Sequence, residues 1–203
     1  NNPLSIGITN EAAYRKACNH VYHAATGETW FGSYDSFQND SSFNDSLPAD
    51  TPTGRPPNAQ LGDLYSLLQL APKGIWDERI SQRVWQKFAI NCAINGLTVV
   101  YQCKNGELLD QQEKQHHLQK ICHEIDQILI AAAHPPETPL YDKAVLIARQ
   151  TAQNYSSMLQ DFKNQKSLEI DYLNGYLCKL ADQHNVHCEE NRTLTQRLKN
   201  LTA

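Results

Sequence analysis

Along the second half of the chain, apolar residues recur every three or four positions, as they do on one face of an α-helix. Ile80, Val84 and Phe88 begin this pattern and lead into a nearly continuous apolar run over 88–100. An Asn-Gly pair at 105–106 follows, and such pairs favour turns. The pattern therefore predicts one long, largely buried helix that ends before this pair.

Four more helices are predicted beyond the turn. The second lies around 118–129 and the third around 140–155, each with apolar residues at helical spacing. Ser167 is expected to N-cap the fourth helix, and Asn191 a short last one. Together these elements predict a bundle-like, all-helical domain over 77–203.

The fourth predicted helix carries two acidic residues near its start. Glu169 and Asp171 are expected in its first turn, where the helix dipole favours negative charge. Gly175 is expected in mid-helix, where it allows close packing.

The first 76 residues show a strand-like pattern instead. Segments 19–24 and 28–32 predict two strands joined by a glycine-containing turn, and 74–76 predicts a final short strand. Residues 1–76 are too few to close a core alone, so they are expected to be the end of an α/β domain.

Two segments between these strands have a different composition. Residues 33–60 are rich in Ser, Asp, Asn and Pro, which predicts a long polar loop. Residues 61–70 predict a short amphipathic helix.

Charge and cysteine content narrow the possible partners. A net charge of −4 argues against nucleic acid and anionic membranes, and no apolar run approaches the roughly 20 residues that span a bilayer. The six cysteines contain no CxxC pair, which predicts reduced thiols and a cytoplasmic location.

The chain starts at Asn1 and its only methionine is Met158, so it is expected to be a piece of a longer product.

Lys87, Asn91 and Asn95 form a polar stripe on the long apolar helix, because residues four apart share one face. A buried amide or ammonium is costly unless a polar group binds it. The stripe is therefore either an edge turned to solvent or a site for a polar ligand. The apolar residues between its members favour the ligand site.

Other candidate chemistry is weaker. Asn154 and Ser157 are three residues apart and can share a helix face, although such residues are also common at helix ends. The histidines and cysteines lack the paired spacing of a zinc site, so no metal is predicted. No glycine-rich phosphate loop is present.

Taken together, several motifs resemble the ketopantoate reductase (2-dehydropantoate 2-reductase) family. The helical half supplies most of them, and two shorter matches precede it. The matching segments are 7–13, 27–32, 85–98, 105–108, 154–161, 169–175 and 184–191.

The resemblance implies a two-domain enzyme that reduces ketopantoate with NADPH. Its fold would be mainly α, with a helical domain of the 6-phosphogluconate-dehydrogenase-like type (77–203) after a small α/β remnant of a Rossmann domain (1–76). Lys87 matches the family's catalytic lysine. The matching substrate-binding residues are Lys87, Asn91, Asn95, Asn105 and Ser157. Glu169 and Ala12 match positions on the cofactor side.

This sequence departs from the family in two places. Gly96 replaces a proline after the second asparagine of the stripe. The glycine-rich loop that binds the NADPH phosphates is absent from this chain, so the chain alone is expected to be inactive.

Two alternatives stay open. One is a related 2-keto-acid or 3-hydroxy-acid reductase, and the other is a non-catalytic helical dimerisation module. A homodimer is likewise left open.

Overall fold

The computed structural model describes residues 5–10, 12–25, 27–33 and 74–202. The chain forms two compact units, Asn1–Val84 and Trp85–Ala203.

The described part of the first unit contains two small sheets. Strands β1 (Ser5–Thr9), β4 (Thr29–Ser33) and β5 (Gly74–Trp76) form a sheet in the order β1-β4-β5, antiparallel and then parallel. Strands β2 (Ala12–Ala17) and β3 (His20–Ala25) form a separate antiparallel pair.

The strands predicted around 19–24, 28–32 and 74–76 are confirmed. The first two do not pair with each other, because β3 pairs with β2 and β4 pairs with β1. The pattern did not predict β2, whose alanines and lysine are poor strand formers; pairing across the turn at Asn19 (φ 62°) supports it instead. The helix predicted at 61–70 and residues 34–60 of the polar loop lie outside the described residues.

A close approach fixes the identity of Gly32 in β4. A Cβ added there would overlap Ile80 and would lie 2.5 Å from the carbonyl oxygen of Asp77. Only glycine lets the strand lie this close to the segment that starts the long helix.

The second unit is helical, as predicted. The long helix α1 (Ile80–Tyr101) leads into a 3₁₀ turn (Gly106–Leu109) beside the predicted break at 105–106. The remaining helices are α2 (Gln112–Ala131), α3 (Leu140–Gln150), α4 (Ser157–Lys163), α5 (Asn174–His184) and α6 (Glu189–Leu201).

The central part of α1 passes through the middle of the hydrophobic core of the helical unit. Every residue from 92 to 99 is buried, so this part of the helix is enclosed on all sides. Helix α2 packs its Leu118, Ile121, Ile125 and Ile128 into the same core, each fully shielded from solvent. Burying one such side chain contributes about 1.5–3 kcal/mol.

The predicted end of the third helix and the predicted start of the fourth were wrong. The third helix ends at Gln150 rather than near residue 155, and a separate helix, α4, begins at Ser157. Ser156 N-caps it by accepting a hydrogen bond from Leu159 N at 3.1 Å. Ser167 caps no helix, because α5 begins only at Asn174.

The acidic pair at 169 and 171 therefore precedes α5 instead of lying in its first turn. Asp171 forms an ion pair with Lys199 of α6 at 2.5 Å. Gly175 is the second residue of α5, and its N–H donates to Ile170 O at 2.8 Å.

A carboxylate from another helix caps the last helix. Residues Glu190 and Asn191, in the first turn of α6, donate their backbone N–H groups to Glu124 of α2, each at 2.9 Å. Asn191 was predicted to be the cap, but α6 begins at Glu189 and the Asn191 side chain is fully buried.

The side chain of Asn191 extends this buried polar network to the stripe helix. Its Nδ2 donates to Glu124 at 2.9 Å, and its Oδ1 accepts from Asn174 Nδ2 at 3.1 Å. Asn174 Nδ2 also donates to Cys92 O of α1 at 3.0 Å. The network therefore joins α2, α6, α5 and α1 through hydrogen bonds that water does not replace.

All six cysteines are free thiols. None of the helices in the described residues is both long enough and apolar enough to span a bilayer.

Candidate functional site

The predicted polar stripe lies on α1 inside the helical unit. Lys87 is exposed, Asn91 is half-buried and Asn95 retains 7% of its exposure, so the stripe passes from solvent into the core. This gradient suits a pocket whose outer end holds a cation and whose inner end holds neutral hydrogen-bonding groups.

The electrostatic setting of Lys87 favours proton transfer. Burial of its surroundings removes water from the ammonium and lowers the pKa of Lys87 below that of a free lysine. The lowered pKa makes the ammonium a better proton donor.

Aromatic rings flank the outer end of the stripe. Phe88, next to Lys87, meets Tyr176 of α5 edge to face at 5.8 Å between ring centroids and Trp85 at 5.6 Å. Trp85 in turn stacks on His134 at 4.1 Å. This cluster gives the stripe an apolar border on one side.

Asn105 is held in the turn after α1. Its backbone N–H donates to Asn154 O at 3.0 Å, and its Nδ2 donates to Thr151 Oγ1 at 2.9 Å. Its Oδ1 is buried and has no hydrogen-bond partner among the described residues. A buried acceptor without a partner is destabilising, so a ligand donor that reached it would gain a favourable hydrogen bond.

Gly106 allows this turn to touch the segment after α3. A Cβ on Gly106 would lie 2.6 Å from Ala152 Cβ and 2.8 Å from its Cα. Only glycine permits this contact, which brings Asn105 beside the segment that leads to Ser156 and Ser157.

A hydroxyl pair joins the inner end of the stripe to α4. Thr98, three residues after Asn95 on α1, lies with its Oγ1 2.6 Å from Ser156 Oγ. Ser157, the predicted substrate-binding serine, is the next residue and is exposed at the start of α4. Asn95 is thus linked through Thr98 to Ser156, the residue before Ser157, and Asn105 bonds to Asn154, three residues before Ser157.

Glu169 and Ala12 are the two residues predicted on the cofactor side. Glu169 is exposed, and its backbone carbonyl accepts from Tyr172 N and Leu173 N. Ala12 begins β2 in the other unit, where only its backbone is described.

The described residues offer no metal centre, since His, Cys, Asp and Glu side chains do not gather there in threes.

The sequence pattern missed Thr98, Ser156 and Asn174. Thr98 extends the face of Asn91 and Asn95, since it lies seven and three residues beyond them. That spacing was a usable signal. Ser156 and Asn174 bond to groups 58 and 82 residues away, which no local pattern reveals.

Known proteins match nearly the whole chain. A family model described as "Ketopantoate reductase PanE/ApbA C terminal" matches residues 79–202. The 2-dehydropantoate 2-reductase of Escherichia coli O157:H7 is 33% identical over 205 residues, which cover 97% of this chain and 58% of that protein. The chain therefore spans little more than half the length of this relative.

Solved structures share the fold. A PanE/ApbA family ketopantoate reductase from Ralstonia eutropha JMP134 matches with a TM-score of 0.77 at 19% identity, over 98% of this chain and 59% of that one. A D-mandelate dehydrogenase solved with NADH and anilino(oxo)acetate matches with a TM-score of 0.72 at 18% identity, over 98% and 60%. The mainly helical fold class is thereby confirmed.

Proposed function

This chain belongs to the ketopantoate reductase family, and we propose that it supplies the substrate-binding part of an NADPH-dependent 2-dehydropantoate 2-reductase. The reaction is reduction of ketopantoate to pantoate, a step towards pantothenate and coenzyme A. The observation that carries the proposal is the stripe of one ammonium and two amides on a buried helix, joined by Thr98 to the serines of α4. Because the chain spans 58% of the E. coli relative, the activity is proposed for the full-length protein.

The amides and the serine suit a carboxylate and a hydroxyl group. Asn91, Asn95 and Ser157 donate directional hydrogen bonds and add no charge that competes with Lys87. The buried Oδ1 of Asn105 lacks a partner and would accept from a substrate hydroxyl once substrate binding uncovers it. Together these groups hold a 2-keto acid by its polar atoms.

Lys87 acts on the ketone oxygen. Negative charge builds on that oxygen during reduction, and a positioned ammonium stabilises it and then donates a proton. Partial desolvation strengthens this interaction and lowers the pKa of Lys87, so that the proton leaves more readily.

The reduced nicotinamide, when bound, supplies the hydride that reaches the ketone carbon. On this chain, Glu169 would accept a hydrogen bond from the carboxamide or ribose, and the start of β2 at Ala12 would touch the cofactor. We further propose NADPH as the cofactor. We also propose a cytoplasmic location, because the cytoplasm keeps thiols reduced and the six cysteines are free thiols.

A related 2-keto-acid reductase is the second candidate. The D-mandelate dehydrogenase with the same fold favours it, since the groups above recognise the keto-acid end and leave the alkyl or aryl end unspecified.

A substrate panel distinguishes the two. Full-length protein is assayed for NADPH and NADH oxidation with ketopantoate, pyruvate, 2-ketoisovalerate and phenylglyoxylate. The proposal predicts the highest kcat/KM for ketopantoate with NADPH. A higher kcat/KM for another acid would assign the related reductase, and inactivity on every acid would favour the non-catalytic helical module.

A further inference from the structure

Four groups form a hydrogen-bond chain between α1 and α4. Leu159 N lies 3.1 Å from Ser156 Oγ, Ser156 Oγ lies 2.6 Å from Thr98 Oγ1, and Thr98 Oγ1 lies 2.8 Å from Asn95 O. This series of hydrogen bonds therefore runs from the first turn of α4 to the backbone carbonyl of Asn95, the innermost residue of the stripe.

The groups at the two ends of this series of hydrogen bonds determine which atom donates in each bond. Leu159 N–H can only donate and Asn95 O can only accept, while each hydroxyl has one proton. Ser156 must therefore donate to Thr98, and Thr98 must donate to Asn95 O. In the reverse arrangement, the oxygens of Thr98 and Asn95 would face each other at 2.8 Å without a proton between them.

Because Thr98 and Ser156 are buried, water cannot easily take the place of their hydrogen bonds. Thr98 is fully buried and Ser156 retains 6% of its exposure. Leu97 and Val99, on either side of Thr98, and Met158 and Leu159, two and three residues after Ser156, belong to the hydrophobic core. Removing one hydroxyl leaves the other one hydrogen bond short in an apolar setting, so the helices are expected to shift in order to restore that bond.

We propose that Thr98 and Ser156 are positioning residues that set Ser157 of α4 in register with Asn95 of α1, so that both hold the same 2-keto acid. This inference rests on the proposed function. Neither residue needs to touch the substrate, because Ser156 precedes Ser157 directly and Thr98 bonds to the backbone of Asn95. The link fixes the spacing of two groups on different helices.

Thr98→Val tests the link in the full-length protein. Valine keeps the shape of threonine, and Ser156 can still cap α4 through Leu159 N. The expected result is a rise of about tenfold in KM for ketopantoate with KM for NADPH unchanged, since misplacement of a binding group by a fraction of an ångström is costly. Thr98→Ser, which retains the hydroxyl, is expected to recover most of the loss.

Thr195→Val is the matched control. Thr195 is also a buried helical threonine that donates to the carbonyl four residues before it, Asn191 O, at 2.7 Å, but it lies on α6. Its replacement is expected to lower the melting temperature as Thr98→Val does and to leave KM for ketopantoate within twofold of wild type.

A second variant breaks the link from the other side. Ser156→Ala is expected to raise KM for ketopantoate about as much as Thr98→Val, and the double variant no further, because both remove the bond between Thr98 and Ser156. Ser156→Ala also removes the cap of α4, so it is expected to be the less stable of the two. If Thr98→Val does not fold, Ser156→Ala and its comparison with Thr195→Val decide the matter.

The outcomes separate the inference from the function. Wild-type activity on ketopantoate with unchanged KM in a folded Thr98→Val or Ser156→Ala variant overturns the inference alone. A wild-type protein that reduces no 2-keto acid overturns the proposed function, and the inference with it.

Discussion

At the scale of single residues, Lys87 sets the pH dependence of the site. Desolvation disfavours the charged form, so the pKa of Lys87 lies below that of a free lysine. The ammonium is present below that pKa and is lost above it. Stability depends on pH in the same direction: the cost of desolvating the charge is full below the folded-state pKa, and it declines as the pH rises from that pKa to the higher pKa of the unfolded chain.

We therefore expect kcat/KM for ketopantoate to fall on the alkaline side, with an apparent pKa below that of a free lysine. Lys87→Arg keeps its charge throughout this range, so residual activity in that variant should lack the alkaline decline. The measurement is a pH profile of both proteins. An identical alkaline decline in Lys87→Arg would assign it to another group.

Lys87, Asn91 and Asn95 could be predicted from the sequence because their spacing of four and their apolar neighbours are both local features. Thr98 could not be assigned its role in the same way. A helical threonine commonly bonds its own backbone, and the partner that gives Thr98 a role lies 58 residues away.

At the scale of elements, long-range contacts decide where helices start. The sequence placed a cap at Asn191, but the carboxylate of Glu124, on α2, binds the first turn of α6. Ser167 likewise has the residue type of a cap, yet α5 begins at Asn174, whose side chain bonds to α1 and α6. Helix interiors were predictable from periodicity, whereas these ends depend on tertiary hydrogen bonds.

Asn191→Ala should destabilise the helical unit by about 2–3 kcal/mol, because it leaves buried Glu124 and Asn174 each short of a partner. Urea unfolding of the full-length protein measures this free energy. Asn200→Ala, which alters an exposed residue of the same helix, is the control and should cost less than about 0.5 kcal/mol. Equal losses in the two variants would show that the buried network contributes nothing.

Gly106→Ala should separate the turn after α1 from the segment after α3, because its Cβ would overlap Ala152. Such overpacking typically costs about 1–3 kcal/mol, and displacement of Asn105 should also raise KM for ketopantoate. Adding Ala152→Gly removes one of the two overlaps and should restore part of both losses. Unfolding and steady-state kinetics check this. A Gly106→Ala protein with wild-type stability and KM would contradict the close packing.

At the scale of the whole molecule, the helical unit could be predicted from its apolar periodicity. The family could be predicted because several motifs along the chain stand in the same order as in the family. The family model confirms the match over 79–202. Pairing in the first unit was less predictable, since β3 and β4 are consecutive in sequence but belong to different sheets. Strand partners depend on contacts that the alternation of residues does not encode.

The most direct test of the central claim, that the stripe on α1 is the catalytic wall of a keto-acid site, is the turnover of Lys87→Ala. Full-length wild type, Lys87→Ala and Lys179→Ala are compared for ketopantoate-dependent NADPH oxidation; Lys179 is an exposed lysine of α5. We expect kcat to fall about 10²–10⁴-fold in Lys87→Ala and to stay within twofold in Lys179→Ala. A Lys87→Ala protein that folds and retains wild-type kcat would contradict the account.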